Sequence, residues 1–243
     1  MISILVPVLG RPARAQPLVD SIRSSSAAEH EIVFLCSPAD GEQYHACHMT
    51  GEHTMLCAWK AGRGDYAKKI NRGFRETSNE FILMAADDLR FHPGWDTALL
   101  RVAEATGAAV TGSDDLGNPQ VSRKQAFSTH PLIRRSYIEK EGGTGEGKPG
   151  VVLHEGYDHN FVDRELWDVA ASRGKTAFAF AAKIEHLHPH WRKGAMDPVY
   201  EKGLKHFHDD QRLYWSRHEL WGGTLGPRES AELGRWSRRK AKA

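Results

Sequence analysis

Apolar residues recur along the first half of the chain in short runs separated by amphipathic stretches. Residues 2–9 form such a run, with Ile2, Ile4, Val6 and Val8 in it, and it stops at Gly10-Arg11-Pro12. That pattern predicts a buried strand. Residues 13–24 follow as a helix with Leu18 and Ile22 on one face. A second buried strand is expected over 31–36, a turn over 37–41 and a third strand over 54–58. Gly62-Arg63-Gly64 leads into a helix over 65–77, where Tyr66, Ile70 and Phe74 repeat at four-residue spacing. Residues 81–86 read as a fourth buried strand that ends in Asp87-Asp88, and a helix starts near Pro93. Strands alternating with helices predict an α/β fold, a mostly parallel sheet covered on both faces.

The second half is less regular. Further strands are expected near Val110 and at Ala126-Phe127, and the Gly-rich stretch 141–150 reads as a mobile loop. A helix over 161–173 and a strand over 176–184 lead into His186-Leu187-His188-Pro189-His190-Trp191. Residues 198–220 read as helical, and the chain after Gly222-Gly223 as loose.

Bulk properties narrow the picture only a little. At 243 residues, 40% hydrophobic and 26% charged, the chain fits one globular α/β domain. Its net charge of +2 argues against a nucleic-acid footprint over the whole surface. Basic residues cluster at Arg235, Arg238, Arg239, Lys240 and Lys242. They read either as a solvated tail or as a contact with an anionic acceptor or membrane surface. Cys36, Cys47 and Cys57 form no C-x-x-C pair, which suits a reducing cytoplasm. The apolar N-terminus is too short for a signal peptide and lacks a basic leader. No apolar run approaches the ~20 residues of a membrane span.

The strongest chemical feature is Asp87-Asp88. Two adjacent carboxylates after a buried strand are costly unless they meet water or a cation. Strand ends in open α/β sheets form the ligand crevice, where carboxylates can ligate Mg²⁺ or Mn²⁺ beside phosphate oxygens. Equally, the pair reads as exposed turn residues, one of them capping the next helix.

The order of motifs around the pair resembles the GT-A glycosyltransferases, especially the family-2-like group. Val6-Pro7-Val8-Leu9-Gly10-Arg11-Pro12 is similar to that family's first strand and its Pro-x-x-x-Arg-like turn. Lys69-Ile70-Asn71-Arg72-Gly73 is similar to its Lys/Arg-x-Asn-x-Gly helix segment, and Glu80-Phe81-Ile82 to its next strand. In this register Ala86-Asp87-Asp88 occupies the Asp-x-Asp position, and Pro93-Gly94-Trp95 starts the following helix. The first Asp is thus replaced by Ala86, and Asp88 stands at the metal-binding second Asp.

The resemblance implies a GT-A (Rossmann-like) nucleotide-diphospho-sugar transferase fold and a metal-dependent transfer from a nucleotide sugar, a UDP-sugar foremost, to an acceptor hydroxyl with inversion. It implies a single domain over 1–220, with a nucleotide half (1–112), an acceptor half (113–220) and a basic tail (221–243). The acceptor class, whether glycan, lipid, protein or nucleic acid, stays open. Mn²⁺ or Mg²⁺ is the implied cofactor, with Asp88 and a late histidine as ligands. His186 and His188 both qualify, since strand geometry puts them on one side, and imidazole suits Mn²⁺ better than Mg²⁺.

In the same frame Pro7, Val8 and Arg11 lie beside the base and ribose, Ser37 and Asp40 at the second strand end near the base, and Asp87 at the ribose or phosphates. Lys69 reads as facing a phosphate or as an exposed helix residue. Asp163, in Val162-Asp163-Arg164-Glu165-Leu166, resembles the family's catalytic base at a helix start, with Asp158 as the alternative. A favoured first-turn acid without catalytic duty is the competing reading of Asp163. Trp95 reads as an acceptor-lining or a core residue, and segment 142–150 as a closure over the donor. Two rivals remain: a sugar-1-phosphate nucleotidyltransferase, whose Gly-rich triphosphate loop Gly10-Arg11-Pro12 does not supply, and a non-catalytic binding protein on a decayed transferase scaffold.

Overall fold

A computed structural model describes residues 1–116, 118, 121 and 127–240. Ala126 and Lys242 lie outside the described residues, as do the side chains of Arg238, Arg239 and Lys240. The described strands form an eight-stranded mixed sheet. Its parallel part joins β1 (Ile2–Pro7), β2 (His30–Cys36), β3 (His53–Leu56) and β4 (Phe81–Met84), in the order β3-β2-β1-β4. Beyond β4 the order continues through β7 (Leu132–Arg134), β6 (Val110–Asp114) and β8 (Thr176–His186) to β5 (Leu89–Phe91). β7 is antiparallel to both β4 and β6, β6 and β8 run parallel, and β5 is antiparallel to β8.

The near-continuous apolar runs of β1, β2 and β4 are explained by burial on both faces. One face packs against α1 (Ala15–Ser25), α2 (Gly41–Met49) and α4 (Trp95–Thr106), where Leu18, Ile22, Phe34, Leu83, Trp95 and Leu99 form a core. The other packs against α3 (Asp65–Glu76), α5 (Arg135–Glu141) and α6 (Val162–Ser172), around Leu5, Ile70, Ile82, Ile133 and Leu166. Three helices follow β8: α7 (Pro198–Lys205), α8 (Phe207–Arg217) and α9 (Pro227–Lys240).

The motif residues of α3 have structural work. Gly73 lets the helix close on β1, because a Cβ there would come 2.9 Å from Leu5 Cδ2. Asn71 is buried, and its amide donates to the Leu153 carbonyl and Glu155 Oε1 (both 2.9 Å). Its carbonyl oxygen accepts from the Val152 and Leu153 N–H groups (both 2.9 Å). One buried amide thereby ties the chain after the Gly-rich stretch onto the parallel half of the sheet.

Several expectations need correction. α2 forms where a turn alone was expected; Asp40 caps it by accepting from the Gln43 N–H. The short strands β5 and β7 and helix α5 carry too few residues for a periodic signal. Phe127 lies in no strand; the Arg164 guanidinium sits over its ring. The helical stretch after 198 is broken into α7 and α8.

The chain beyond Gly223 is not loose. It forms α9, against which Arg212 packs through Trp236 and Glu232. Segment 142–150 is tied to its surroundings by hydrogen bonds. The Gly143 N–H donates to the Val151 carbonyl (2.8 Å), and the Gly145 N–H to Glu165 (3.0 Å). Arg217 holds Glu146 and Glu165 together in a bidentate network, and none of this segment lines the large cavity in this structure. Trp95 is wholly buried against Phe91, its indole N–H donating to Ser26 Oγ (3.1 Å), so it lines no acceptor site.

Candidate active site

A cavity of about 580 Å³ opens at the C-terminal ends of β1 and β4. Pro7, Val8 and Arg11 from the β1 end, Tyr66 and Lys69 from α3, Ala86-Asp87-Asp88, the start of α6, and the β8 end with α7 all reach it. This is the crevice position expected of ligands in open α/β sheets.

Asp88 is its most constrained side chain. The β5–β8 ladder pairs Leu89 with His186, and the Leu187 N–H donates to the Asp88 carbonyl (2.8 Å). The ladder therefore sets the His186 ring against Asp88, with Nε2 3.1 Å from Oδ2. Tyr200, from α7, donates its hydroxyl to the same oxygen (2.6 Å). Asp88 Oδ1 is buried and accepts no hydrogen bond from the protein. Burial alone would raise this carboxyl, but the charge and hydrogen bond of His186, with the Tyr200 hydroxyl, hold it well below the ordinary carboxylate range. Conversely, burial pushes the His186 imidazole down, and Asp88 more than reverses this and raises it.

Asp87 points toward basic residues. Its Oδ1 accepts from Arg11 (3.1 Å) and lies 3.7 Å from Arg14. Burial, with the neighbouring Asp88 charge, nevertheless pushes its carboxyl up to about 6. Arg11 also makes a bidentate pair with Asp197 (2.8 and 3.0 Å) and stacks 3.9 Å over the Tyr200 ring. Asp197 caps α7 by accepting from the Val199 and Tyr200 N–H groups (2.9 and 3.1 Å). The turn after β1 and the first turn of α7, which lie far apart in sequence, are thus fastened over the acidic pair.

A buried carboxylate with an open oxygen beside an imidazole suits a hard or borderline divalent cation. Among the described residues no three His, Cys, Asp or Glu side chains group into a complete metal cage. Mg²⁺ and Mn²⁺ sites in phosphate-handling proteins commonly have one or two carboxylates, with substrate phosphates supplying the rest. Ala86 lines the cavity beside the pair and contributes no carboxylate. His188 also lines the cavity, its ring 5.2 Å from that of His186 and 4.5 Å from that of Tyr200. Its Nδ1 accepts from the His190 N–H, and burial together with His186 pushes its imidazole down to about 4.

Asp163 lines the same cavity; it sits in the first turn of α6 and accepts from the Arg164 N–H (2.9 Å). Burial pushes its carboxyl up to about 6. Phe161, which precedes the helix, has φ 65°, a left-handed conformation costing about 1–2 kcal/mol for a residue with a Cβ. Asp158 also lines the cavity, but its carboxylate is paired with Arg63 (2.9 Å) and His206 (3.5 Å). Lys69 is buried rather than exposed: its ammonium donates to the Val8 carbonyl and pairs with Asp65 (both 2.8 Å). Ser37 and Asp40 do not reach the cavity. Asp40 instead accepts from the Gly10 N–H (2.6 Å), bracing the turn that carries Arg11.

Residues 3–151 match the family described as glycosyl transferase family 2. The chain belongs to that family. As a family 2 member its sheet order and cavity are those of the GT-A fold, and it is a glycosyltransferase. Solved structures agree on the fold. Glucosyl-3-phosphoglycerate synthase from Mycobacterium tuberculosis, in complex with Mn²⁺, UDP-glucose and phosphoglyceric acid, is 16% identical with a TM-score of 0.61. That likeness covers 93% of this chain and 81% of the other. S. aureus TarS (residues 1–349) is 13% identical with a TM-score of 0.64, over 96% of this chain and 69% of that one. No curated protein matches the chain in sequence.

Other residues of the candidate site in this family 2 member escaped the sequence reading. Arg14, His130, Asp197 and Tyr200 carry no motif; Arg14, His130 and Tyr200 reach the acidic pair or His186, and Asp197 holds Arg11, which in turn binds Asp87. His130 is buried, its Nδ1 3.2 Å from the Met84 carbonyl, and burial pushes its imidazole down to about 3. The helix from residue 198 was expected, and Asp-Pro at 197–198 marks its start, but nothing local shows what Asp197 and Tyr200 touch.

Proposed function

We propose that the protein moves a sugar from a UDP-sugar to an acceptor hydroxyl with inversion, supported by Mn²⁺ or Mg²⁺. The observation that carries this is the pairing of Asp88, with its open buried Oδ1, and His186 in a cavity that Asp163 also lines. Asp88 and His186 would hold the divalent ion. When bound, it would offset the negative charge of the departing diphosphate. We assign Pro7, Val8 and Asp87 to the nucleotide side, with the chain over 1–220 acting as one catalytic domain.

The remaining chemistry falls to the chain. Arg11, engaged by Asp87, lies at the donor end, where charge develops on the leaving nucleotide. Asp163 takes the proton of the acceptor hydroxyl as that oxygen bonds to the anomeric carbon and the bond to the diphosphate breaks. A carboxyl raised toward 6 is a stronger base than a free one and is still ionised near neutrality. Asp158, neutralised by Arg63, is the weaker candidate.

Titrating UDP calorimetrically with and without Mn²⁺ tests the reading. UDP is expected to bind at least ten-fold more tightly with the metal. Equal affinity in both conditions would sink the proposal. A screen of UDP-sugar hydrolysis, with water as acceptor, then identifies the donor, and Asp163→Asn is expected to lower the turnover by about 10²–10⁴-fold, to a residual rate that can still be measured.

A further inference from the structure

The turn that delivers Asp163 is built around a carboxylate that no motif marks. Asp210, on α8, is buried. It accepts from three consecutive backbone N–H groups: Asp158 at Oδ1 (2.7 Å), and His159 and Asn160 at Oδ2 (2.9 and 2.8 Å). The Asn160 amide adds a longer contact to Oδ2 (3.3 Å) and donates to the Gly203 carbonyl (2.9 Å). Successive N–H groups that converge in this way form an anion-binding concavity. Here the anion is the protein's own side chain.

The next residue is Phe161 at positive φ, and it stands at the N-cap of α6 without a side-chain cap. An aromatic residue does not settle there by preference. Such backbone persists where the surroundings over-determine it. Asp210 does so from one side, and two more residues of the same face of α8 do so from the other. Phe207 and Tyr214 pack on the Phe161 ring at 5.2 and 5.3 Å. One turn further on, Arg217 pairs with Glu165, three residues along α6 from Val162. A single face of α8 therefore grips both the entry turn and the first turn of α6, and Asp163 lies between those grips.

We infer that Asp210 is a positioning residue: its carboxylate fixes the turn 158–161 and thereby aims Asp163 into the cavity that Asp88 also lines. This rests on Asp163 being the base. Both oxygens are used, so an amide cannot substitute. Asp210→Asn would turn an NH₂ group toward N–H donors at one of the two positions.

The test compares wild type, Asp210→Asn, Asp210→Ala, Asp163→Asn and the double variant Asp210→Asn/Asp163→Asn. Three readouts are used: UDP affinity with Mn²⁺, hydrolysis of the most rapidly turned-over UDP-sugar, and amide exchange of residues 158–162. Asp210→Asn is expected to lower kcat 10- to 100-fold, to leave UDP affinity within two-fold, and to speed exchange in the turn. If Asp210 acts through Asp163, the double variant is no slower than Asp163→Asn alone. Multiplying losses, an equal loss of UDP affinity, or unchanged exchange in the turn would each overturn the inference. If Asp210→Ala fails to fold, Asp210→Asn carries the comparison. Wild-type turnover in Asp163→Asn would instead overturn the base assignment, whatever Asp210 does.

Discussion

Asp163 should make the protein less stable at the pH where it works. Burial raises its carboxyl from an ordinary value of 3.8 to about 6. The unfolded chain has no such burial, so between about 3.8 and 6 it loses its proton while the folded protein keeps one. Folding stability therefore falls as pH rises through that window, is unaffected by this group below it, and bears the full cost above it. A shift of roughly two pH units corresponds to about 3 kcal/mol at 1.36 kcal/mol per unit. Asp163→Asn is close in shape to the protonated acid, and its carbonyl oxygen can still accept from the Arg164 N–H. The variant should match wild type in urea denaturation at pH 4 and exceed it by up to about 3 kcal/mol at pH 7.5. Tryptophan fluorescence reports the transition. The same ionisation should shape activity, with kcat rising through about pH 6 as the base deprotonates. A stability gain that is the same at both pH values, or no gain at pH 7.5, would refute the reasoning, because the burial cost would then be absent.

Other predictions address the remaining parts of the site and its frame. Asp88→Asn should remove the Mn²⁺-dependent part of UDP binding, seen by calorimetry as one affinity with and without the ion, while metal-free affinity holds. Asn71→Ala strands the Val152 and Leu153 N–H groups in the interior, and should cost about 2–6 kcal/mol in chemical denaturation at 1–3 kcal/mol per orphaned group. Gly64→Ala combines φ 71° with a Cβ that would run into the Glu155 carbonyl oxygen. It should lower thermal stability markedly and loosen segment 152–155, which limited proteolysis would detect.

The parallel half of the fold was legible because its strands are buried on both faces and its helices are amphipathic. Both signals are local, and β1, β2, β4 and α3 came out within a few residues of their ends. β5 was not legible: three residues, Leu89–Phe91, give no period. Yet β5 decides the site, since its pairing with β8 selects His186, rather than His188, for Asp88. Lys69 shows the limit of residue-type reasoning. A lysine in a polar helix window reads as exposed or ligand-facing, but the groups that satisfy it, Val8 and Asp65, are set by how α3 meets β1. The Gly-rich stretch misled for a related reason. Glycines there permit close packing, as at Gly143 beside Val152 and Leu166, and composition alone cannot separate that from mobility. Tyr200, Asp197 and Asp210 have no local signal, since their roles exist only in the folded chain.

The β5–β8 ladder also sets when the site can come into being. Translation delivers β1 to β4 early, together with the strand ends that carry Pro7, Val8, Arg11 and the acidic pair. Asp88 then waits while about a hundred further residues emerge, because His186 and Tyr200 are made late. A nascent chain on the ribosome could carry a nearly complete parallel sheet and still lack a working centre. Until the β8 end and α7 are in place, Asp88 has neither of the partners that set its charge.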